Sequence, residues 1–442
     1  MQQVSLGRFG DTRLEDVGMF LHSRLVEGGG GRVRVRQLGG DRAGEMRLTR
    51  FLRNDRVTVE EMAQAAASRL ASRCAGRHVL AIQDTTVVRS QGGGGLYLHP
   101  VLAVDAEDGA ILGLAHAQFL SRSSGKKSTR RTRTIEDKES YRWVQGAEQA
   151  GHACSAARQV TMICDSEGDI YEVFARQPTG VDLLVRAAQD RNLADGGRLF
   201  DRLDATAVAG HVKIELPARP GRRARDAHLV ARFAPLDLAR PRNGKQDEGR
   251  DHVMVNAVDV REIDPPLGEV ALHWRLITTH PVRNAAQAFA VANLYRRRWL
   301  IEQVFRTLKT QGFDIEGLLI EAEVPLCNLV MATLIAAVSV QQLVHARDGA
   351  AAPGSLRPAT DAFEPADQPL LQAFCAELEG KTERQKNPHP IGSLAYAAWV
   401  CARLGGWTGY YGKPGPIVTL RGWIHFQIAM QGATLMTAAN DV

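Results

Sequence analysis

Two short apolar runs, HVLAIQD and ARQVTMICD, each end in an aspartate, at Asp84 and Asp165. A continuous apolar run bounded by turn residues predicts a strand buried on both faces, as in the middle of a sheet with parallel neighbours. Such strands, separated by helical segments, confine the chain to an α/β architecture. In sheets of that kind, ligand sites form at the carboxyl ends of the strands. Two carboxylates at those ends therefore constrain fold and chemistry together. Each also has a plainer use: Asp84 before Thr85-Thr86 suits an Asx turn, and Asp165 suits an N-cap for a helix beginning near Gly168.

The rest of the chain fits around these two strands. LYLHPVLAVDAEDGAILGLAHAQFL predicts two strands about a turn at Asp108-Gly109, after a Gly-rich turn at Gly92 to Gly95. A helix is expected from about Glu136 to Ala150, and further strands at LLVRA (Leu183 to Ala187) and WRLITTH. Between them, roughly residues 187–276 alternate HVKIELPA, HLVARFA and VMVNAVDVREI with Arg- and Gly-rich turns, which reads as a β-rich insertion. Near the start, EMRLTRFLRNDRVTVEEMAQAAASRLASR predicts two helices turning near Asn54-Asp55. Thr58 and Glu61 there have capping-box spacing. Upstream, Gly28 to Gly31 and Gly39-Gly40 punctuate an Arg-rich stretch. Toward the other end we expect a long helix from about Asn284 to Thr310, an apolar helix over about Pro325 to His345, and a loose connector over 347–370. Helices from Ser393 to Leu404 and after Trp423 follow.

Composition removes several alternatives. With 442 residues there is room for two to four domains, and 44% hydrophobic with 24% charged residues is ordinary for a globular chain. The 55 Lys and Arg against 49 Asp and Glu leave a net charge of +6, which suits a nucleic-acid partner without establishing one. Six cysteines form no CxxC pair, so neither a disulfide framework nor a zinc site is expected. No unbroken apolar run reaches the roughly 18 residues of a membrane span, the closest being Leu329 to Val340. The opening MQQVSLGRFGDTRLEDV lacks the apolar core of a signal peptide, so a cytoplasmic protein without a membrane partner is expected. Basic clusters at 122–133 and 219–225 are either solvated loops or phosphate contacts.

The helix expected over 284–310 gives the aspartates company. On a helical projection Tyr295, Arg298, Glu302 and Lys309 share an arc of about 60°, while Ile301, Val304, Phe305 and Leu308 fill the opposite, core-facing side. One acid among basic residues beside a buried face suits two duties: Glu302 completing a metal site, and its neighbours gripping phosphates. An ion-pair network along the helix is the plainer alternative. Three carboxylates suit Mg²⁺ or Mn²⁺, hard ions that take oxygen ligands, and a pair of such ions serves phosphodiester chemistry. Neither a P-loop nor a dinucleotide fingerprint is present.

With these residues in view, the sequence resembles the bacterial insertion-sequence DDE transposases of the IS-four group. Their Tyr-x2-Arg-x3-Glu-x6-Lys signature matches Tyr295, Arg298, Glu302 and Lys309. Their AI-x-DTT segment matches Ala81 to Thr86, and CD-x-E-x-DI matches Cys164 to Ile170. DEKES-like and RFxRN-like segments stand at Glu136 to Ser140 and Arg50 to Asn54, and the LGG…GW stretch runs from Leu404 to Trp423.

The resemblance implies an α/β RNase H-like catalytic core interrupted by a β-rich insertion, with helical N- and C-terminal domains. The implied division is a DNA-recognition domain at 1–75, core at 76–186, insertion at 187–271, core at 272–346 and a dimerisation domain at 347–442. It implies Asp84, Asp165 and Glu302 as ligands of two Mg²⁺ ions, with Mn²⁺ as a substitute. Tyr295, Arg298 and Lys309 would hold phosphates at a transposon end. Trp274 would stack on a base flipped from that end, and Arg186 would contact the same DNA. The implied reaction nicks the end, excises through a hairpin and joins the 3′-hydroxyl to target DNA, within a homodimeric synaptic complex on the bacterial nucleoid. The alternatives are an RNase H-like nuclease without strand transfer, or a non-catalytic transposase-derived DNA-binding inhibitor that forms inactive dimers.

Overall fold

A computed structural model describes residues 4–440 apart from 28–32, 92–93, 123–133, 217–223, 242–250, 310–311, 347–356, 364 and 411–413. Gly28 to Gly31, the tip of the Gly92–Gly95 turn and almost all of both basic clusters lie outside the described residues. So do the first ten residues of the connector.

Both Asp-terminated runs form central strands. β1 (His78–Gln83) and β5 (Gln159–Cys164) pair in parallel, and β5 pairs in parallel with β6 (Val181–Arg186). All but the first residue of β1 and of β5 are buried, as unbroken apolar runs require. On the other side of β1 runs β3 (Gly94–Asp105), which forms an antiparallel hairpin with β4 (Ile111–Arg122) about the Asp108-Gly109 turn. One strand was not foreseen: β2 (Thr86–Gln91) follows β1 after a break at Asp84-Thr85 and pairs with the first half of β3.

Segment 187–271 supplies β7 (Gly210–Leu216), β8 (Arg225–Ala239) and β9 (His252–Ile263), the three strands read from the sequence. They build no sheet of their own. Through β10 (His273–Thr278), which pairs with both β6 and β9, they extend the central sheet to ten strands in the order β2-β3-β1-β5-β6-β10-β9-β8-β7, with β4 on β3. Period-2 patterning identifies a strand but not the edge it joins.

The sheet is covered on both faces, a mixed α/β arrangement consistent with the RNase H-like core that the resemblance implies. One face packs Val79, Ala81, Met162 and Cys164 against Trp143, Val144 and Ala147 of α6 (Tyr141–Ala153), and against α7 (Tyr171–Ala175) and α8 (Leu199–Ala205). The other packs Leu80, Ile82 and Ile163 into a cluster with most of the remaining helices, while the short helix at 70–74 adds Leu70 and Cys74 to the first face. The helix expected over 284–310 is in fact two, α9 (Ala285–Arg296), capped by Asn284, and α10 (Trp299–Leu308), joined by a turn at Arg297-Arg298. Both turn residues keep right-handed helical dihedrals, so the direction of the stripe survives the break.

The N-terminal helices α1 (Thr12–Glu27), α2 (Val35–Gly39), α3 (Arg42–Leu52), α4 (Val59–Ser68) and α5 (Leu70–Cys74) include the two read from the sequence. Thr58 caps α4 by accepting from the Glu61 N–H at 3.2 Å. Glu61 does not return the bond to Thr58 but accepts from the Arg8 and Phe9 amides, tying the start of the chain to α4. The connector is shorter than expected: Arg357 pairs with Asp105, Asp108 and Asp361, and α12 (Gln368–Leu378) begins inside it. α13 (Leu394–Leu404) and α14 (Pro416–Asn440) follow.

α11 (Glu323–Ala346) is the apolar helix foreseen over 325–345. By length and composition it is able to cross a membrane, which the interrupted apolar run had not suggested, yet 83% of its apolar window is buried within this fold. That burial marks a core helix, wrapped by α1, α3, α4, α10, α13 and α14. On it Asn328, 1% exposed, donates to the Leu52 carbonyl at 3.0 Å and the Val57 carbonyl at 2.8 Å, holding the α3–α4 turn. Asn328→Ala would strand both acceptors in the core. We expect a loss of about 2–4 kcal/mol in urea unfolding, and a loss under 1 kcal/mol would mean the bonds are not made.

All six cysteines are free and buried.

Candidate active site

Because β1, β5 and β6 run parallel, Asp84, Asp165 and Arg186 emerge at the same sheet edge. Asp84 stands where the chain leaves β5 and continues along β3 as β2, and its Oδ1 accepts from the Thr85 N–H at 2.7 Å. Asp165 accepts from the Glu167 N–H at 2.8 Å and caps a single 3-10 turn, Ser166–Gly168, in place of the α-helix expected there. The capping use of Asp165 is therefore real, while Asp84 bonds the N–H of the very next residue and does not make the Asx turn expected of it. These two bonds hold the carboxylates still at the strand ends.

The four signature residues straddle the α9–α10 turn. Tyr295, in the last turn of α9, is buried with its hydroxyl unpartnered among the described residues. Burial raises its pKa, against the charges of Arg298 and Arg186. Arg298 stands at the N-cap position of α10 without capping it and forks between two acids: Nη1 donates to Asp84 Oδ2 at 2.8 Å, and Nη2 to Glu302 Oε1 at 2.8 Å. Ile301, Val304, Phe305 and Leu308 are all buried, as the projection required. Lys309 is not gathered with them. It ends α10 and pairs with Glu316 at 2.8 Å.

Electrostatics links the three acids. Burial, then the charge of Asp165, pushes the Asp84 pKa up to about 6, with Glu302 adding to the rise. The Thr85 amide and Arg298 oppose it without cancelling it. An all-carboxylate donor set whose members repel one another chemically fits a hard divalent cation. The spacing is not yet that of a loaded site, since among the described residues no three acidic, His or Cys side chains stand ready around one ion. Arg298 occupies the space between two of them.

β10 is antiparallel to β6, so its first residues lie at the same edge. Trp274 sits there, half-buried, two residues before Leu276, the partner of the exposed Arg186. Of the arginines in the 219–225 cluster only Arg225 is described, and it is paired with Glu262 and Glu269.

Sequence reasoning missed the groups beneath the carboxylates. Gln83, His99 and Arg142 are buried polar residues directly behind Asp84, and Arg142 reaches Glu167 beside Asp165. A signal existed for Arg142: it shares a helical stripe with Gly146 and Ala150, small residues on a buried face that leave room for a long side chain.

Residues 97–338, more than half of the chain, match the family described as the transposase DDE domain. That span includes Asp165 and Glu302, while Asp84 lies thirteen residues before it. The chain belongs to the transposase DDE domain family.

Proposed function

We propose that the protein is a cut-and-paste DNA transposase of the IS-four type, with Asp84, Asp165 and Glu302 as its catalytic carboxylates. The observation that carries this reading is the pressure of Asp165 and Glu302 on Asp84, three acids at the ends of β1 and β5 and on α10, with one guanidinium between two of them. Two Mg²⁺ or Mn²⁺ ions held by these carboxylates would activate the attacking oxygen and neutralise the leaving oxygen at phosphorus.

The chain's own residues do the rest. For all three acids to bind cations, Arg298 must release Asp84 and Glu302, and a DNA phosphate is the natural acceptor for its fork. Tyr295 is placed beside Arg298 to act with it, and Lys309 joins them by leaving Glu316. Arg186 and Trp274 lie on the path of DNA along this edge, Trp274 as the platform for an extruded base. Nicking, hairpin formation, hairpin opening and joining of the 3′-hydroxyl to target DNA are each a displacement at phosphorus, so one carboxylate set serves all four. The partners in this reading are transposon-end DNA, target DNA and a second copy of the chain, with domains divided near residues 75, 186, 271 and 346.

The test incubates the full chain and Mg²⁺ with a linear donor bearing the element's own ends and a plasmid target, beside Glu302→Ala. Blunt excision through a transient hairpin, followed by strand transfer and abolished in the variant, is the expected result. Cleavage without joining would identify a nuclease, and end binding without cleavage a regulator.

A further inference from the structure

Arg142, on α6 and 5% exposed, reaches both loops that carry the aspartates. Its Nη2 donates to Glu167 Oε2 at 2.9 Å, its Nε to Thr85 Oγ1 at 3.2 Å and its Nη1 to the Glu139 carbonyl at 3.0 Å. Thr85 and Glu167 are the residues whose backbone N–H groups hold Asp84 and Asp165. One guanidinium thus braces two turns whose aspartates are 81 residues apart in sequence.

Behind it runs a chain of hydrogen bonds with a single consistent direction. Gln83 Nε2 donates to the Trp143 carbonyl at 3.1 Å and to the Cys164 sulfur at 3.3 Å, which turns Gln83 Oε1 toward His99. His99 Nε2 then donates to that oxygen at 3.0 Å, leaving Nδ1 to accept from Thr85 Oγ1 at 2.9 Å. The Thr85 oxygen is left free to accept from Arg142. Full burial and the charge of Arg142 keep His99 neutral, as this tautomer requires. Gly146 is part of the construction, since a Cβ there would lie 2.2 Å from Gln83 Oε1. Every polar atom in the chain is committed to holding Thr85, Cys164 and Arg142 in place.

We propose that Arg142 is a positioning residue that sets the spacing of Asp84 and Asp165 through Thr85 and Glu167, and so governs divalent-cation affinity. The proposal rests on the metal-binding reading of the carboxylates given above. A planar fork suits the task because it bonds two acceptors in fixed relative positions, which the point charge of Lys does not. Outer-shell partners that orient metal ligands typically contribute 10- to 100-fold in metal affinity.

The experiment uses full-length wild type, Arg142→Gln and Arg142→Lys, with three readouts. These are Mn²⁺ binding to the end-DNA complex by electron paramagnetic resonance, hydrogen–deuterium exchange of the peptides containing Thr85 and Glu167, and end binding by mobility shift. For Arg142→Gln we expect Mn²⁺ affinity to fall roughly 10- to 100-fold, both peptides to exchange faster, and end binding to change less than about twofold. Arg142→Lys should recover part of the Mn²⁺ affinity. Wild-type exchange at both peptides with unchanged Mn²⁺ affinity would overturn the proposal. Should Arg142→Gln fail to fold, Glu167→Ala removes one acceptor arm at a side chain that is 59% exposed. It should loosen the Glu167 peptide and leave Thr85 protected, and unchanged exchange at Glu167 would overturn the proposal. Wild type that takes up no Mn²⁺ would sink the metal reading alone, because the exchange data still decide whether Arg142 braces the two turns.

Discussion

Asp84→Asn protein is expected to be more stable than wild type at pH 8 in the absence of divalent cations, and to be severely impaired in DNA cleavage. Burial and the neighbouring Asp165 charge hold the Asp84 pKa at about 6, against 3.8 for an ordinary aspartate. A carboxyl with a raised folded-state pKa binds more protons folded than unfolded between those two values, so stability falls as pH rises through that window. A difference of about two pH units corresponds to about 3 kcal/mol, absent below pH 4 and fully developed above pH 7. Asn carries no charge and escapes it. Urea unfolding of both proteins at pH 4 and pH 8 measures the effect: near equality at the lower pH and a gap of about 2–3 kcal/mol at the higher. Equal stability at both would mean that the acids do not press on one another. On the proposed reading, Mg²⁺ should close the gap by stabilising wild type alone, since only wild type would keep all three proposed ligands. Cleavage should drop by about 10³-fold or more, because the lost group would serve the transition state directly.

Gly422→Ala is expected to destabilise the C-terminal helices by at least about 3 kcal/mol. α13 and α14 cross with their backbones in contact. A Cβ on Gly422 would lie 1.5 Å from the Cys401 carbonyl oxygen, and one on Gly405 would lie 2.0 Å from the Val418 carbonyl oxygen. Neither obstacle is a flexible side-chain end, so the helices must move apart and uncover Val400, Leu420 and Trp423. The LGG…GW stretch thereby acquires a packing reason: its glycines let the two helices meet. Urea unfolding again provides the measurement, and a change under about 1 kcal/mol would mean that the crossing is looser than described.

Local pattern determined a large part of this protein. Unbroken apolar runs identified β1 and β5, because a strand buried on both faces tolerates little polar interruption. Helical period placed Ile301, Val304, Phe305 and Leu308 in the core, and with them set the direction of Glu302 and Arg298. Spacing alone therefore made the three acids and the Tyr-Arg-Glu-Lys stripe legible. The break at Arg297-Arg298 was not, since both residues keep helical dihedrals and leave the period undisturbed. Lys309 followed the stripe in sequence but left it in space, because α10 ends beside Glu316 and an ion pair formed there.

Three matters were decided only by tertiary contact. The strands of 187–271 joined the central sheet through β10, a choice of pairing edge that no local pattern encodes. α11 is long and apolar enough to cross a membrane, which its interrupted apolar run did not suggest, and its many helical neighbours made it a core. Gln83, His99, Thr85 and Arg142 became one network only when β1, β3 and α6 met. Periodicity depends on neighbours three or four positions away and is written in the sequence. A hydrogen bond between residues 57 positions apart, such as the part-buried one from Arg142 to Thr85, exists only once the fold has brought both partners together.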